Sequence, residues 1–173
     1  FVGTPFTFGL RQLGANCGLI AQHAAIEVNG RAYWMSDNAF YLFDGVVKKM
    51  PCSVQDYVFD DLSYVNRTEI ACGINSAFNE IIWYYPSSSS TQIDRAVAYN
   101  YLENTWYTLN LPRTTWLGAY VFEQPIATEY STSLTSNTAT ILGLTAGASY
   151  MYEHELGNNQ ADGTAISAFL TTG

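Results

Sequence analysis

Apolar and polar residues alternate in short runs separated by turn residues, the pattern of half-buried strands. Residues 24–28 and 31–35 flank Asn29-Gly30, whose residue types suit the positive φ angles of a two-residue type I′ turn, so a hairpin is predicted there. A second hairpin follows, with residues 40–43 running through Asp44-Gly45 into residues 46–49. Together these make one four-stranded antiparallel meander. Residues 53–62 break the alternation: Val54, Tyr57, Val58 and Leu62 recur at helical spacing, and Ser53 is placed to cap one or two helical turns.

Strands then resume. Residues 68–73 and 80–85 flank the turn-like Asn75-Ser76-Ala77, and Pro86 with four serines predicts an exposed loop. Residues 95–101 and 105–109 form another hairpin around Glu103-Asn104. This second meander echoes the first, with Tyr33-Trp34-Met35 matched by Ile82-Trp83-Tyr84 at a separation of 49 residues. A period near 50 built from four-strand units is the sequence sign of a β-propeller blade. Further on, residues 116–122 predict a strand, 131–140 a polar loop or edge hairpin, and 149–156 a moderately alternating run before turns at 157–163.

Composition sharpens this picture. The 173 residues are 48% hydrophobic and 13% charged, which excludes a disordered chain, and no Gly-X-Y or heptad period marks a collagen or coiled coil. No apolar run is long enough to span a membrane as a helix. The 13 Tyr, 9 Phe and 4 Trp favour strands and large contact surfaces. The start at Phe1 without a charged, apolar leader reads as an internal piece of a longer polypeptide. Residues 1–125 are read as the blade region and 126–173 as an additional β and loop segment.

Charge is uneven. All seven bases lie in residues 1–113 with ten acids, while residues 114–173 carry five acids and no base. Without a basic run, specific nucleic-acid binding is not predicted; an acidic wall past which DNA slides remains compatible. Cys17, Cys52 and Cys72 lack metal or disulfide spacing and read as small buried hydrophobes in a chain made in a reducing compartment.

Candidate chemistry is thin. Asp60-Asp61 and the Glu153/Glu155 pair have the residue types for glycoside hydrolysis, but read better as solvated acids. Five arginines and many tyrosines are present without the repeated Asp-box motifs of sialidase propellers. Only His23 and His154 are available as bases, and no nucleophile elbow, phosphate loop or calcium loop appears. His154, between two glutamates, reads at most as a pH-sensitive surface contact. Glu153, His154 and Glu155 do not read as metal ligands, because consecutive strand side chains face opposite ways. Trp34, Trp83, Trp106 and Trp116 are large enough to stack on sugars, yet most sit in apolar runs that favour core packing. No catalytic, cofactor or metal residue is assigned. The residues singled out are Tyr33, Trp34, Phe40, Tyr41, Phe43, Trp83, Tyr85, Trp106 and Trp116 for packing, with Asn29, Gly30, Asp44 and Gly45 for turns.

The stretch Gly30-x-Ala32-Tyr33-Trp34-Met35-Ser36-Asp37-Asn38-x-Phe40-Tyr41-x-Phe43-Asp44-Gly45 resembles segments of phage tail and neck proteins, the tail nozzle (tail tubular protein B-like) and packaged-DNA stabilisation proteins of short-tailed phages. Similar too are Pro51-Cys52-x-Val54-x-Asp56-Tyr57-Val58-Phe59-x-Asp61-Leu62 and Phe78-Asn79-Glu80-x-x-Trp83-x-Tyr85-Pro86, followed by Asp94-Arg95, Tyr99-Asn100-Tyr101, Trp106-Tyr107 and Arg113-Thr114-x-Trp116. The resemblance covers residues 15–125, carries no catalytic content, and leaves the C-terminal third unassigned. It implies a propeller-like β domain in a virion tail or neck, whose copies ring the genome exit channel and meet adaptor or portal proteins. The expectation is therefore an all-β chain of antiparallel meanders, part of a β-propeller, with one short helix near 53–62 and a non-enzymatic structural role. The alternatives are a carbohydrate-binding or carbohydrate-cleaving receptor module, and a cellular adhesin or secreted propeller.

Overall fold

The computed structural model describes residues 11–119, 122–131 and 148–155, which form eleven strands and one short helix in three antiparallel sheets. The first sheet is the meander β1 (Ala25–Val28), β2 (Arg31–Met35), β3 (Phe40–Phe43) and β4 (Val47–Lys49). The second is the meander β5 (Ala71–Asn75), β6 (Glu80–Tyr85), β7 (Arg95–Asn100) and β8 (Thr105–Leu109). In the third, β9 (Thr115–Leu117) pairs with β10 (Ile126–Ser131), which pairs with β11 (Ala148–Glu153). This sheet draws strands from both sides of position 125. Helix α1 (Gln55–Asp61) connects the first sheet to the second.

The β1–β2 turn forms as its residue types require, with Asn29 at φ 52° and Gly30 at φ 75°. The β3–β4 connection differs from the two-residue turn expected of Asp44-Gly45. Phe43 pairs with Val47, so the loop holds three residues, and only Gly45 (φ 105°) takes a positive φ. Lys48 bonds Asp44 across it at 2.7 Å. The short outer strand β4 carries Lys48 and Lys49, paired with Leu42 and Tyr41.

Other boundaries also shift. Val54, not Ser53, occupies the position before α1 and makes no side-chain cap; the Cys52 carbonyl accepts from the Gln55 amide instead. Residues 67–69 form a 3-10 turn, which delays β5 to Ala71. Within the loop expected to be exposed, Ser88 and Ser89 are exposed but Pro86 and Ser87 are fully buried. Ser87 turns inward because Asp94 accepts from both its amide (2.7 Å) and its hydroxyl (2.8 Å). Of the strand expected over 116–122, Trp116 and Leu117 belong to β9, and residues 120–121 lie outside the described residues; of the loop expected over 131–140, Ser131 ends β10 and the rest, like the turns over 157–163, lies outside the described residues.

The two meanders that share a sequence echo share a topology. Trp34 and Trp83 both lie on the second strand of a four-stranded unit. Period-2 alternation then sorts the side chains. Tyr33 and Met35 face the second sheet, and Ile82 and Tyr84, at the matching positions, face the third. Strand β6 is apolar at five consecutive positions because Ile81, Trp83 and Tyr85 pack towards the first sheet while Ile82 and Tyr84 pack the other way.

Phe40 is the hub between the first two sheets. It is fully buried, with ring centroids 4.9 Å from Trp83, 4.7 Å from Trp106 and 5.4 Å from Phe59. First strands of successive sheets also meet: β1 contacts β5, β5 contacts β9, and His23 forms a parallel bridge with Ala71. Removing the hub ring leaves a large cavity, so Phe40→Ala is expected to cost about 3–5 kcal/mol. Urea unfolding monitored by fluorescence checks this, with Phe40→Leu expected to lose clearly less.

Candidate functional site

The nine aromatics singled out from the sequence fall into three groups. Tyr33, Phe40, Trp83, Tyr85 and Trp106 belong to the core between the first two sheets, joined by Phe59 and Tyr99, which stand in the quoted motifs but were not singled out for packing. Tyr99 lies 4.6 Å from Trp106 and 6.2 Å from Tyr33. Trp34 and Tyr41 stack at 5.7 Å on the opposite face of the first sheet, and half-buried Phe43 lies at the end of β3. There Trp34 donates to the Cys17 carbonyl and Tyr41 to that of Asn16. Trp116 stands apart, between the second and third sheets.

All four indole N–H groups donate to backbone carbonyls: Trp34 to Cys17, Trp83 to Ala24, Trp106 to Pro51 and Trp116 to Ile74, at 2.8–3.0 Å. Each indole therefore fixes one segment against another. Trp116 sits directly on Gly73, where an added Cβ would lie 2.5–2.6 Å from its Cβ, Cγ and Cδ1 atoms. Its ring stacks on Tyr84 at 6.0 Å.

Beside Trp116 lies a polar cluster built around a buried arginine. Arg113 is only 9% exposed. Its guanidinium pairs with Glu129 at 2.6 Å, donates to His154 Nε2 at 3.0 Å and to the Pro112 carbonyl at 3.0 Å, and lies 4.3 Å from the Tyr152 ring centroid. Arginine can only donate, so Nε2 of His154 must carry a lone pair and the ring is neutral with its proton on Nδ1. The imidazole packs 4.7 Å from Trp116. This corrects the surface role expected of His154: one residue past β11, it lies on the same side as Tyr152, in the seam, while Glu153 and Glu155 are exposed. Burial, and then the charge of Arg113, push its pKa down to about 4. Tyr84, whose buried hydroxyl has no hydrogen-bond partner, is pushed up by burial.

Two clefts adjoin these aromatics. One, of about 350 Å³, opens where β5 and β9 begin and is lined by His23, Thr68, Glu69, Ala71, Cys72, Thr114, Thr115 and Trp116. The other, of about 530 Å³, lies between residues 51–53 and the β7–β8 turn, with Trp106 in its wall. Burial holds the thiol of Cys72 protonated, pushed up to about 12, and that of Cys52 up to about 11, so neither is an activated nucleophile. Of the carboxylate pairs weighed from sequence, Asp61 is 3.6 Å from Arg95 while Asp60 is exposed, and Glu155 is bonded by Asn75 at 3.2 Å while Glu153 is exposed. Among the described residues no cluster of three or more His, Cys, Asp or Glu could hold a metal ion. No family model matches this chain, and no curated protein matches it.

The sequence signal for the seam was weak. Arg113 and Trp116 appear in the motif Arg113-Thr114-x-Trp116, but their partners His154 and Glu129 are 41 and 16 residues from Arg113. Gly73 and Trp116 form a contact that accepts no extra methyl group. Gly73→Ala is expected to cost about 1–3 kcal/mol through overpacking. Paired with Trp116→Ala in a double-mutant cycle read by denaturant unfolding, its cost should shrink, giving a non-additive coupling.

Proposed function

We propose that this chain is a non-enzymatic structural part of a phage virion tail or neck, contributing propeller blades to a ring around the genome exit channel. The observation that carries the reading is the use of the aromatics. Every indole N–H is spent on a backbone carbonyl, and Trp83, Trp106 and Trp116 join one sheet to the next. Such rings hold layers together and leave little free face for a substrate. Support for blades comes from two consecutive four-stranded meanders and from first strands β1, β5 and β9 that follow one another in contact. Successive innermost strands of a propeller meet in this way around its axis.

The charge distribution fits a wall past which DNA moves. Residues beyond Arg113 carry only acids, which repel phosphate and favour release over retention. Copies of the chain and adaptor or portal proteins are the partners of this reading, at aromatic-rich, charge-poor contacts. Among the described residues no helix is long and apolar enough to cross a membrane.

A carbohydrate-recognition module is the second reading, favoured by one observation: Trp106 and Trp116 each form part of a cleft wall. Cryo-electron microscopy of intact particles tests the first reading and should reveal density for this chain in the tail or neck; particles without it would overturn the proposal. A glycan array discriminates the second: no saturable binding is expected, whereas a hit lost on Trp106→Ala with folding retained would favour sugar recognition.

A further inference from the structure

We infer that the Arg113–His154 contact is an acid-sensitive latch that holds the third sheet against the second. The argument starts from donor and acceptor chemistry. Arg113 Nε–H points at His154 Nε2 across 3.0 Å, so the contact exists only while that nitrogen is bare. A proton placed there turns the acceptor into a donor and sets two cations face to face. The guanidinium is already buried and already paired with Glu129, the carboxylate in direct contact with it. The new charge therefore enters a seam whose anion is in use.

The surrounding groups do not relieve it. From the third sheet, Tyr152 presents its ring to the guanidinium, and Tyr150 lies beyond it on the same strand. Glu153 and Glu155 flank the histidine on the exposed side, and Glu155 is engaged by Asn75. From the second sheet come Tyr84, Tyr107 and Cys72, neutral across the acidic range, and Glu80, which accepts from Tyr107 at 2.6 Å.

The imidazole also packs on Trp116, the indole seated on Gly73 and bonded to Ile74. The backbone amide of His154 donates to the Pro125 carbonyl at 2.8 Å, tying the end of β11 to the start of β10. Displacing the ring thus loosens the contact through which β9 grips β5. The core around Phe40 that joins the first two sheets contains neither Arg113, Trp116 nor His154.

The direction with pH follows from linkage. The unfolded chain binds this proton near the ordinary 6.5, and the folded chain only near 4. The contribution is complete above about 6.5 and is lost progressively as pH falls towards 4.

Hydrogen exchange on the full polypeptide, corrected for intrinsic rates, tests the latch at pH 7 and pH 4.5. Protection of β9, β10 and β11 amides is expected to fall at least tenfold on acidification while β6 and β7 hold theirs. In His154→Gln, whose side-chain carbonyl accepts from Arg113 without titrating, the difference should vanish. Unchanged wild-type protection, or an equal fall in the variant, overturns the proposal. Should the variant not form the third sheet, an NMR titration of wild-type His154 decides: a midpoint well below 6.5 supports the latch, and one at or above 6.5 ends it.

Discussion

The second sheet is buried on both faces, and most of the chain is arranged to meet that condition. An antiparallel sheet with one wet face needs apolar residues only at alternate positions. Strand β6 needs them at consecutive positions, and large aromatics supply the volume: Trp83 and Tyr85 on one side, Tyr84 on the other. Aromatics bring a cost, since an indole N–H stripped of water must find an acceptor. The Ala24 carbonyl illustrates the solution by accepting from both the Met35 amide and the Trp83 indole. One group thus serves the first sheet and its junction with the second.

Much of this was readable before any coordinates. The hairpin at Asn29-Gly30, the bounds of β6 and the pairing of two similar meanders follow from local turn chemistry and alternation, both written in neighbouring residues. What escaped was non-local or depended on one partner. Ser87 looked like loop because serine runs are polar, yet the Asp94 carboxylate makes its burial affordable. Ser53 carried the better cap chemistry, but the backbone of Cys52 took the role. The seam around Arg113 was least legible. Its members come from separate strands, and a histidine between two glutamates gives no hint that it lies in the seam.

The two junctions of the second sheet differ in kind. Towards the first sheet the contact is a ring cluster around Phe40. Towards the third it combines one indole on one glycine with a buried arginine that owes its tolerance to Glu129, His154 and Tyr152. A ring cluster loses contacts gradually when distorted, whereas a buried cation depends on every partner being in place. The two joints thus divide the work, the polar one fixing the orientation of the third sheet and the apolar one supplying cohesion.

The outermost strand of the first sheet has a further effect on how molecules come together. Three residues long and bearing adjacent lysines, β4 is a poor template for another molecule's backbone. A neighbour adding there in register would lengthen the sheet by only a few rungs and crowd ammonium groups along its rim. Growth by sideways strand capture is thereby discouraged.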